Sequence, residues 1–500
     1  MKQFLQRWIL LALMPLCSTM LYAQNDYSAF EKSLRPSFHF APKAHWINDP
    51  NGMILIDSVY HLFYQYYPGA SVWGPMHWGH ATSIDLMHWD ELPIALYPDS
   101  LGYIFSGSAV LDEHNTSGLG KDGVAPLVAI FTHHDPHTQV RIDFQTQSLA
   151  YSLDKGITWE KYTGNPVIPN PGIIDFRDPK VRWYEATKQW VMTLATKDCV
   201  TFYASPDLIH WRKESVFGKL EGAHGGVWEC PDLFPLQFNG EEYWILTVNM
   251  NPGGPNMGSG IQYFIGKFDG HQFQPLHQDI RWLDYGPDNY AGVTFSNTGS
   301  RIIQMGWMSN WDYAEKLPTK TWRNSMTIPR ELQLKKIGSE LRVCSFPIAE
   351  LKLQRSNKFI TSGSLQSFKN INKTKTIYPS LIQIDISSDE DFHFAISNKK
   401  GEETVVGFDA QQQQFYVDRT KSGVIDFHPH FQGRKKAPRL SASKNIQLSI
   451  LIDAGSVEVF ADQGATVLTA LNFPTTPYDQ IKIHSKKPLI KGHFEWIQYK

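Results

Sequence analysis

Charge is scarce in this sequence, and neither sign dominates. Of 500 residues, 47 are Lys or Arg and 49 are Asp or Glu, a formal net charge of −2. Nucleic acid as the main partner is excluded, because backbone phosphates call for a basic surface. A polybasic membrane anchor is excluded for the same reason. Hydrophobic residues reach 42%, too many for a disordered chain. Gly 36 and Pro 30 stand near average usage, which removes collagen-like and low-complexity readings. Cysteine is sparse as well: Cys17, Cys199, Cys230 and Cys344. A chain with so few is no disulfide scaffold, and without a CxxC or Cys/His cluster there is no zinc signature. His133, His134 and His137 sit close together, but beside Thr132, Asp135 and Pro136 they read as a polar loop and not as a metal site.

Long apolar runs are missing too. The one candidate, Trp8 to Ala23, is interrupted by Pro15 and falls short of the roughly 20 residues of a membrane span. After Met1, Lys2 and Arg7, and with a small-residue exit, it reads as a secretory signal peptide over residues 1–23, cleaved before Gln24. The chain is therefore expected to be exported, periplasmic or extracellular. Lipid attachment at Cys17 is the alternative, although Met14, Pro15 and Leu16 lack the small residue expected before a lipidated cysteine.

Aromatic residues are abundant: 16 Trp, 21 Tyr and 29 Phe. They favour strands and offer flat faces to ligands. Residues 40–335 carry short apolar-aromatic runs between turn signals, among them MILIDSVYHLFYQYY (53–67), PLVAIFTHH (126–134), QWVMTLATK (189–197), EYWILTVNM (242–250) and RIIQMGWMS (301–309). Each reads as strand, and no long helical periodicity competes. A weak repeat runs through them: Ser83-x-Asp85-x-x-x-Trp89, Ser152-x-Asp154 with Trp159, and Ser205-x-Asp207-x-x-x-Trp211. Asp269-Gly270 with Phe273 is a degenerate fourth copy. An Asp turn closed by an aromatic suits a hairpin. Spacings of 69 and 53 residues between the Asp positions fit four-stranded units. The fold class is therefore all-β, a five-bladed β-propeller over residues 36–335. Lys335-Lys336-Ile337-Gly338 and Phe346-Pro347 mark a linker at 336–355. Alternating strands such as LIQIDIS (381–387), FHFAIS (392–397), QLSILID (447–453) and SVEVFA (456–461) predict a C-terminal β-sandwich over 356–500.

Three stretches place carboxylates among turn-forming and aromatic residues: His45-Trp46-Ile47-Asn48-Asp49-Pro50-Asn51-Gly52, Asp175-Phe176-Arg177-Asp178-Pro179 and Trp228-Glu229-Cys230-Pro231-Asp232. Singly, Asp49 could make an Asx-turn, Asp178 could be a structural partner of Arg177, and Glu229 a capped polar residue. Together they fit hydrolysis of a glycosidic bond, which needs one ionised and one protonated carboxyl. Glu229, with apolar sequence neighbours, suits the acid, and Asp49, in a polar tight turn, the nucleophile.

These stretches resemble the three signatures of glycoside hydrolase family 32, the invertase, inulinase and levanase group, in that family's order. Phe63-Tyr64-Gln65-Tyr66, Trp73-Gly74-Pro75-Met76-His77-Trp78-Gly79, Phe105-Ser106-Gly107-Ser108, Asp284-Tyr285-Gly286, Gly306-Trp307-Met308-Ser309-Asn310-Trp311 and Ser456-Val457-Glu458-Val459-Phe460 extend the resemblance over roughly residues 36–475. The resemblance implies a propeller followed by a β-sandwich. It implies Asp49 as nucleophile, Glu229 as general acid/base and Asp178 as transition-state stabiliser. Asn48, Gln65, Trp73, Ser106, Arg177 and Trp311 would line a fructosyl subsite bordered by Trp46. Arg177 is expected to keep Asp178 charged. Two carboxyls about 5–5.5 Å apart and a covalent fructosyl intermediate would give retention of configuration. No metal or other cofactor is required.

The expected activity is release of terminal fructose from fructans (levan or inulin) and from sucrose. The Trp73-to-His80 stretch resembles exo-acting members. The alternatives are an endo-acting levanase or inulinase, fructosyl transfer to a sugar acceptor, an inverting propeller enzyme of arabinan type, and a fructan-binding protein without catalysis. The C-terminal domain is expected to pack on the propeller.

Overall fold

The computed structural model describes residues 29–136, 144–364, 376–388, 390–485 and 491–499. The expected leader at 1–23, with Cys17, and His137 lie outside these residues.

The apolar-aromatic runs form strands of a ring. Five antiparallel sheets follow one another along the chain, each built on four strands. Their innermost strands are His45–Ile56, Tyr103–Leu111, Phe176–Tyr184, Val227–Phe238 and Tyr290–Thr294. Each touches the next, and the fifth touches the first, so the sheets are the blades of a closed five-bladed propeller. The seam is held by backbone bonds. Trp322–Arg323 pairs in parallel with His45 and Trp46, and the Leu55 N–H donates to the Ser296 carbonyl at 3.1 Å.

The run 53–67 is two strands, not one. It divides between His45–Ile56 and Val59–Tyr67. The turn residues Asp57 and Ser58 have φ of 47° and 67°, the left-handed pair of a tight hairpin turn. The repeated Ser-x-Asp motif proves to be the joint between third and fourth strands. Asp85 Oδ1 accepts the N–H groups of Met87 (2.9 Å) and His88 (2.8 Å), and Trp89 Nε1 donates to the Leu86 carbonyl at 3.2 Å. Asp207 does the same with Ile209 (3.0 Å) and His210 (2.8 Å), closed by Trp211 on Leu208. Asp154 holds Thr158 at 2.9 Å and Trp159 closes on Gly156. In the fourth blade Asp269 accepts from His271 and Gln272, and no indole closes the turn.

Two expectations need correction here. His133 and His134 do not sit in a loop: they end the strand Leu127–His134, because pairing with the strands on both sides continues through them, Tyr103 and Gln145 standing opposite His134. Residues 336–347, expected within the linker, belong to the outer hairpin of the fifth blade, Arg330–Ile337 with Glu340–Pro347. Lys335, Lys336 and Gly338 are the exposed edge and turn of that hairpin, so their polar composition marks a turn inside the blade.

After a short 3₁₀ turn at Ala349–Gln354, two further sheets of six and five strands face each other. Their inner faces bury Ile382, Ile384, Phe394, Phe408, Ile450 and Val459 among others. This sandwich docks on the propeller through charge as well as apolar surface. Arg330, fully buried, donates to Asp284 Oδ2 at 2.8 Å, to Thr469 Oγ1 at 2.6 Å and to Glu458 Oε2. Glu458 Oε1 lies 2.7 Å from His39 Nε2, and His39 Nδ1 lies 2.8 Å from Asp453. Gly286 makes the close approach possible, since a Cβ there would stand 2.0 Å from the Thr469 backbone nitrogen.

Burial alone would depress the pKa of His39, but the hydrogen bonds that its ring donates to Asp453 and Glu458 raise it to about 9. A group whose folded pKa is raised stabilises fully below its unfolded value, about 6.5, and loses that contribution as pH rises through the folded value. Melting curves between pH 6 and pH 10 should therefore show Tm declining across the window from about 6.5 to about 9. His39→Gln should lower Tm at pH 6 and flatten the decline. A mutant curve parallel to the wild type would show that His39 does not carry the effect.

Candidate active site

All five innermost strands slip register near their starts. Against their second strands the pairing skips between Ile47 and Pro50, Ile104 and Gly107, Arg177 and Lys180, Glu229 and Asp232, and Tyr290 and Val293. Such bulges bend a strand and re-aim its side chains. The skipped or bordering residues include Asp49, Ser106, Asp178 and Glu229, so one device repeated around the ring turns them into one cup. Pro50, Pro179 and Pro231 stand in or beside these slips, where a missing N–H leaves no ladder bond unmade. Asp178, Cys230 and Ala291 have positive φ (65°, 42° and 52°), backbone strain concentrated at the same place. Gly52 turns the chain behind Asp49 at φ 50°, where a Cβ would stand 2.8 Å from Phe63 and Trp78.

The cup has a volume of about 360 Å³ and is lined by Asn48, Asp49, Gln65, Trp73, Phe105, Ser106, His134, Phe144, Gln145, Asp175, Arg177, Asp178, Glu229 and Trp311. Nine of the ten expected site residues are in this lining; Trp46 is not. It is fully buried, lies against Trp311 with ring centroids 6.1 Å apart, and donates Nε1–H to Asn48 Oδ1 at 2.8 Å. Its indole orients Asn48 from behind and offers no face to a ligand.

Asp49 is held on both oxygens. Asn48 Nδ2 donates to Oδ1 at 3.0 Å, and Ser106 Oγ donates to Oδ2 at 2.6 Å, with the Cys230 thiol 3.6 Å from Oδ2. Burial and the nearby Glu229 push its pKa up, and these three contacts oppose the rise. Asp178 Oδ2 accepts the Cys230 N–H at 3.0 Å. Glu229 lies between Arg177, whose Nη2 donates to Oε1 at 2.9 Å, and the Tyr290 hydroxyl, which donates to Oε2. The apolar setting expected for Glu229 from Trp228 and Cys230 is thus replaced by a cation and a phenol. Adjacent residues on a strand point to opposite sides, and the Trp228 indole faces away, to the Ala223 carbonyl.

Arg177 also corrects an expectation. It approaches Asp178 only to 3.9 Å, while making contacts of 2.5 Å with Asp175 and 2.9 Å with Glu229. Burial therefore dominates at Asp178, and its pKa is raised, with Glu229 and Asp49 adding to the rise against Arg177. Phe105 and Asp175 stand in two of the motif-bearing stretches, beside Ser106 and Arg177, and also face the cup. Phe144, Gln145 and Tyr290 carry no local signal, and the histidine cluster around His134 points to a loop; only the closed ring brings these four residues to the cup. Among the described residues, no cluster of His, Cys, Asp and Glu has the arrangement of a metal site. A second cavity of about 380 Å³ lies further along the same strands, lined by Lys180, Asp232 and Thr294 among others. Lys180 lies 3.4 Å from Asp232 there, and buried Asp112 accepts hydrogen bonds from Thr116 and Ser117.

Residues 39–345 match the glycosyl hydrolases family 32 N-terminal domain, and residues 349–499 match the glycosyl hydrolases family 32 C terminal. A levanase of Bacillus subtilis (strain 168) is 42% identical, over 98% of this chain and 74% of its own. An extracellular exo-inulinase of Aspergillus niger is 39% identical, over 89% of this chain and 90% of its own. The crystal structure of exo-inulinase from Aspergillus awamori superposes with a TM-score of 0.86 at 36% identity, covering 93% of this chain and 98% of that one.

The raised pKa of Asp178 has a cost. A carboxyl whose folded pKa lies above its unfolded value binds its proton more tightly when folded, so stability falls as pH rises between the two. Asp178→Asn keeps an acceptor for the Cys230 N–H and removes the charge. It should be more stable than wild type at pH 7 by an amount on the order of 1 kcal/mol, and the difference should vanish near pH 4. Denaturant unfolding at both pH values measures it; a destabilised variant at pH 7 would contradict this account of the cup.

Proposed function

The chain belongs to glycosyl hydrolase family 32, and from that membership we propose an exported, retaining enzyme that removes terminal fructose from fructans and also cleaves sucrose. It is a glycoside hydrolase acting on fructans, as levanase and exo-inulinase relatives spanning most of the chain indicate. The observation that carries the mechanism is the convergence of Asp49, Asp178 and Glu229 on one cup.

In this reading Asp49 attacks the anomeric carbon of the bound fructosyl unit. Its hydrogen bonds from Asn48 and Ser106 fix the carboxylate and keep it available for attack. Glu229 gives its proton to the leaving oxygen as the glycosidic bond breaks, which leaves a fructosyl ester on Asp49. Glu229 then takes a proton from water as the water attacks that ester, and fructose leaves with its configuration retained. Tyr290 and Arg177 hold the two oxygens of Glu229 and so set its direction. Asp178 binds two sugar hydroxyls and stabilises positive charge building on the ring. Gln65 and Asn48 supply further hydroxyl contacts, and Trp73 and Trp311 cover the ring's apolar surface. A cup of about 360 Å³ is small for a ligand pocket, which favours one terminal sugar over a polymer lying across it. The propeller carries the chemistry and the sandwich braces it. Among the described residues no helix is long and apolar enough to cross a membrane.

Glu229→Gln should lower kcat on inulin, levan and sucrose by about 10²- to 10⁴-fold, the usual worth of a general acid. Asp49→Asn should lose the covalent step altogether. Early digests should contain fructose alone, released as the anomer that was bound in the substrate. A ladder of oligosaccharides would instead identify an endo-acting enzyme, and full activity in Glu229→Gln would remove that residue from the acid role.

A further inference from the structure

A fructan carries a sugar on each side of the bond to be broken, and Asp49, Asp178 and their neighbours furnish only the fructosyl side. The general acid marks the other side, since it must reach the leaving oxygen. From Glu229 a chain of polar contacts leads to one wall of the cup. Glu229 Oε1 accepts from Arg177 Nη2 at 2.9 Å, Arg177 Nη1 donates to Gln145 Oε1 at 3.4 Å, and Gln145 Nε2 lies 3.3 Å from His134 Nδ1. On this wall the rings of Phe105 and His134 stack face to face, 4.2 Å between centroids and 7° between planes. Phe144 stands edge-on to His134 at 5.2 Å. All three are partly exposed in the cup.

The polar half of the wall is equally defined. Burial and the neighbouring Arg177 push the pKa of His134 down to about 4, so its ring is neutral at neutral pH. The side-chain amide nitrogen of Gln145 can only donate, so Nδ1 accepts and the ring proton is on Nε2. The wall therefore combines flat apolar faces with one N–H donor, which is what a sugar ring with an apolar face and hydroxyl edges binds.

We infer that Phe105, His134 and Phe144 form the subsite for the leaving sugar, with the rings taking its apolar face and His134 Nε2–H donating to one of its hydroxyls. The inference rests on Glu229 being the general acid. A substrate whose leaving group has no ring gains nothing from this wall, so discrimination between leaving groups originates here.

The test compares two substrates, a fructan trisaccharide and methyl β-fructofuranoside, whose leaving group is methanol. For His134→Ala and for Phe144→Ala, kcat/KM on the trisaccharide should fall about 10- to 100-fold, chiefly through KM, equivalent to one or two tenfold steps of binding. On methyl β-fructofuranoside both variants should stay within about threefold of wild type, a margin well below one tenfold step. His134→Phe keeps the stack without the donor and should fall between His134→Ala and wild type. Equal losses on both substrates, or an unchanged trisaccharide, would overturn the assignment. Wild-type inactivity on both substrates would instead sink the fructosidase reading on which it rests. Phe144→Ala leaves the Phe105–His134 stack in place, so it decides the matter even if the histidine variants fail to fold.

Discussion

Four carboxyl groups and one guanidinium share a cup largely withdrawn from water, and that imbalance governs the rest of the molecule. Asp49, Asp175, Asp178 and Glu229 all line the cavity with Arg177. One cation cannot neutralise four acids, and desolvation penalises each ionised form. At Asp49 and Asp178 the result is a proton affinity raised above its ordinary value, with the charge of Glu229 adding to the rise at both. Two neighbouring acids, Asp49 and Asp178, are shifted upward for related reasons but have different partners, hydroxyl and amide donors for one and a backbone N–H for the other. Such a cluster would spread apart in a pliable scaffold. The ring prevents this, because Asp49, Asp178 and Glu229 each come from a bulged strand whose remaining length is locked into a blade, and Asp175 directly precedes the strand of Asp178.

The sandwich extends the same logic outward. Its Arg419, fully buried, donates to Asp288 at 2.5 Å and to the Tyr313 hydroxyl at 2.9 Å. Tyr313 follows Trp311 in the loop that covers one side of the cup, and Asn310 is tied to the Pro287 carbonyl at 2.8 Å. The placement of Trp311 thus depends on ionic contacts with the second domain. Buried ion pairs of this kind contribute little net stability but penalise every arrangement that separates the partners. Here that property serves to hold one orientation of the two domains.

Much of this was legible in the linear chain, for physical reasons that can be named. The hairpin joints were readable because Ser83-x-Asp85-x-x-x-Trp89 and its copies satisfy their hydrogen bonds within a few residues. The three acidic motifs were readable because bulge, proline and carboxylate are neighbours in sequence. What escaped was whatever depends on closure. Tyr290 comes to Glu229 from the next blade with no motif of its own. His134 reads as part of a histidine-rich loop until the strand is seen to continue through it. Trp46 reads as a wall of the cup, although alternation along its strand buries it behind Asn48. Arg177 and Asp178 are adjacent in sequence, yet the guanidinium turns mainly to Asp175 and Glu229.

The seam carries a consequence for the history of each molecule. His45 and Trp46, near the start of the ring, find their neighbours only in Trp322 and Arg323, almost three hundred residues later in the chain. A nascent polypeptide that has delivered four blades has neither the closing strand nor Trp311. Catalytic competence therefore arrives in one step, late in synthesis, and a chain truncated before the fifth blade is chemically silent.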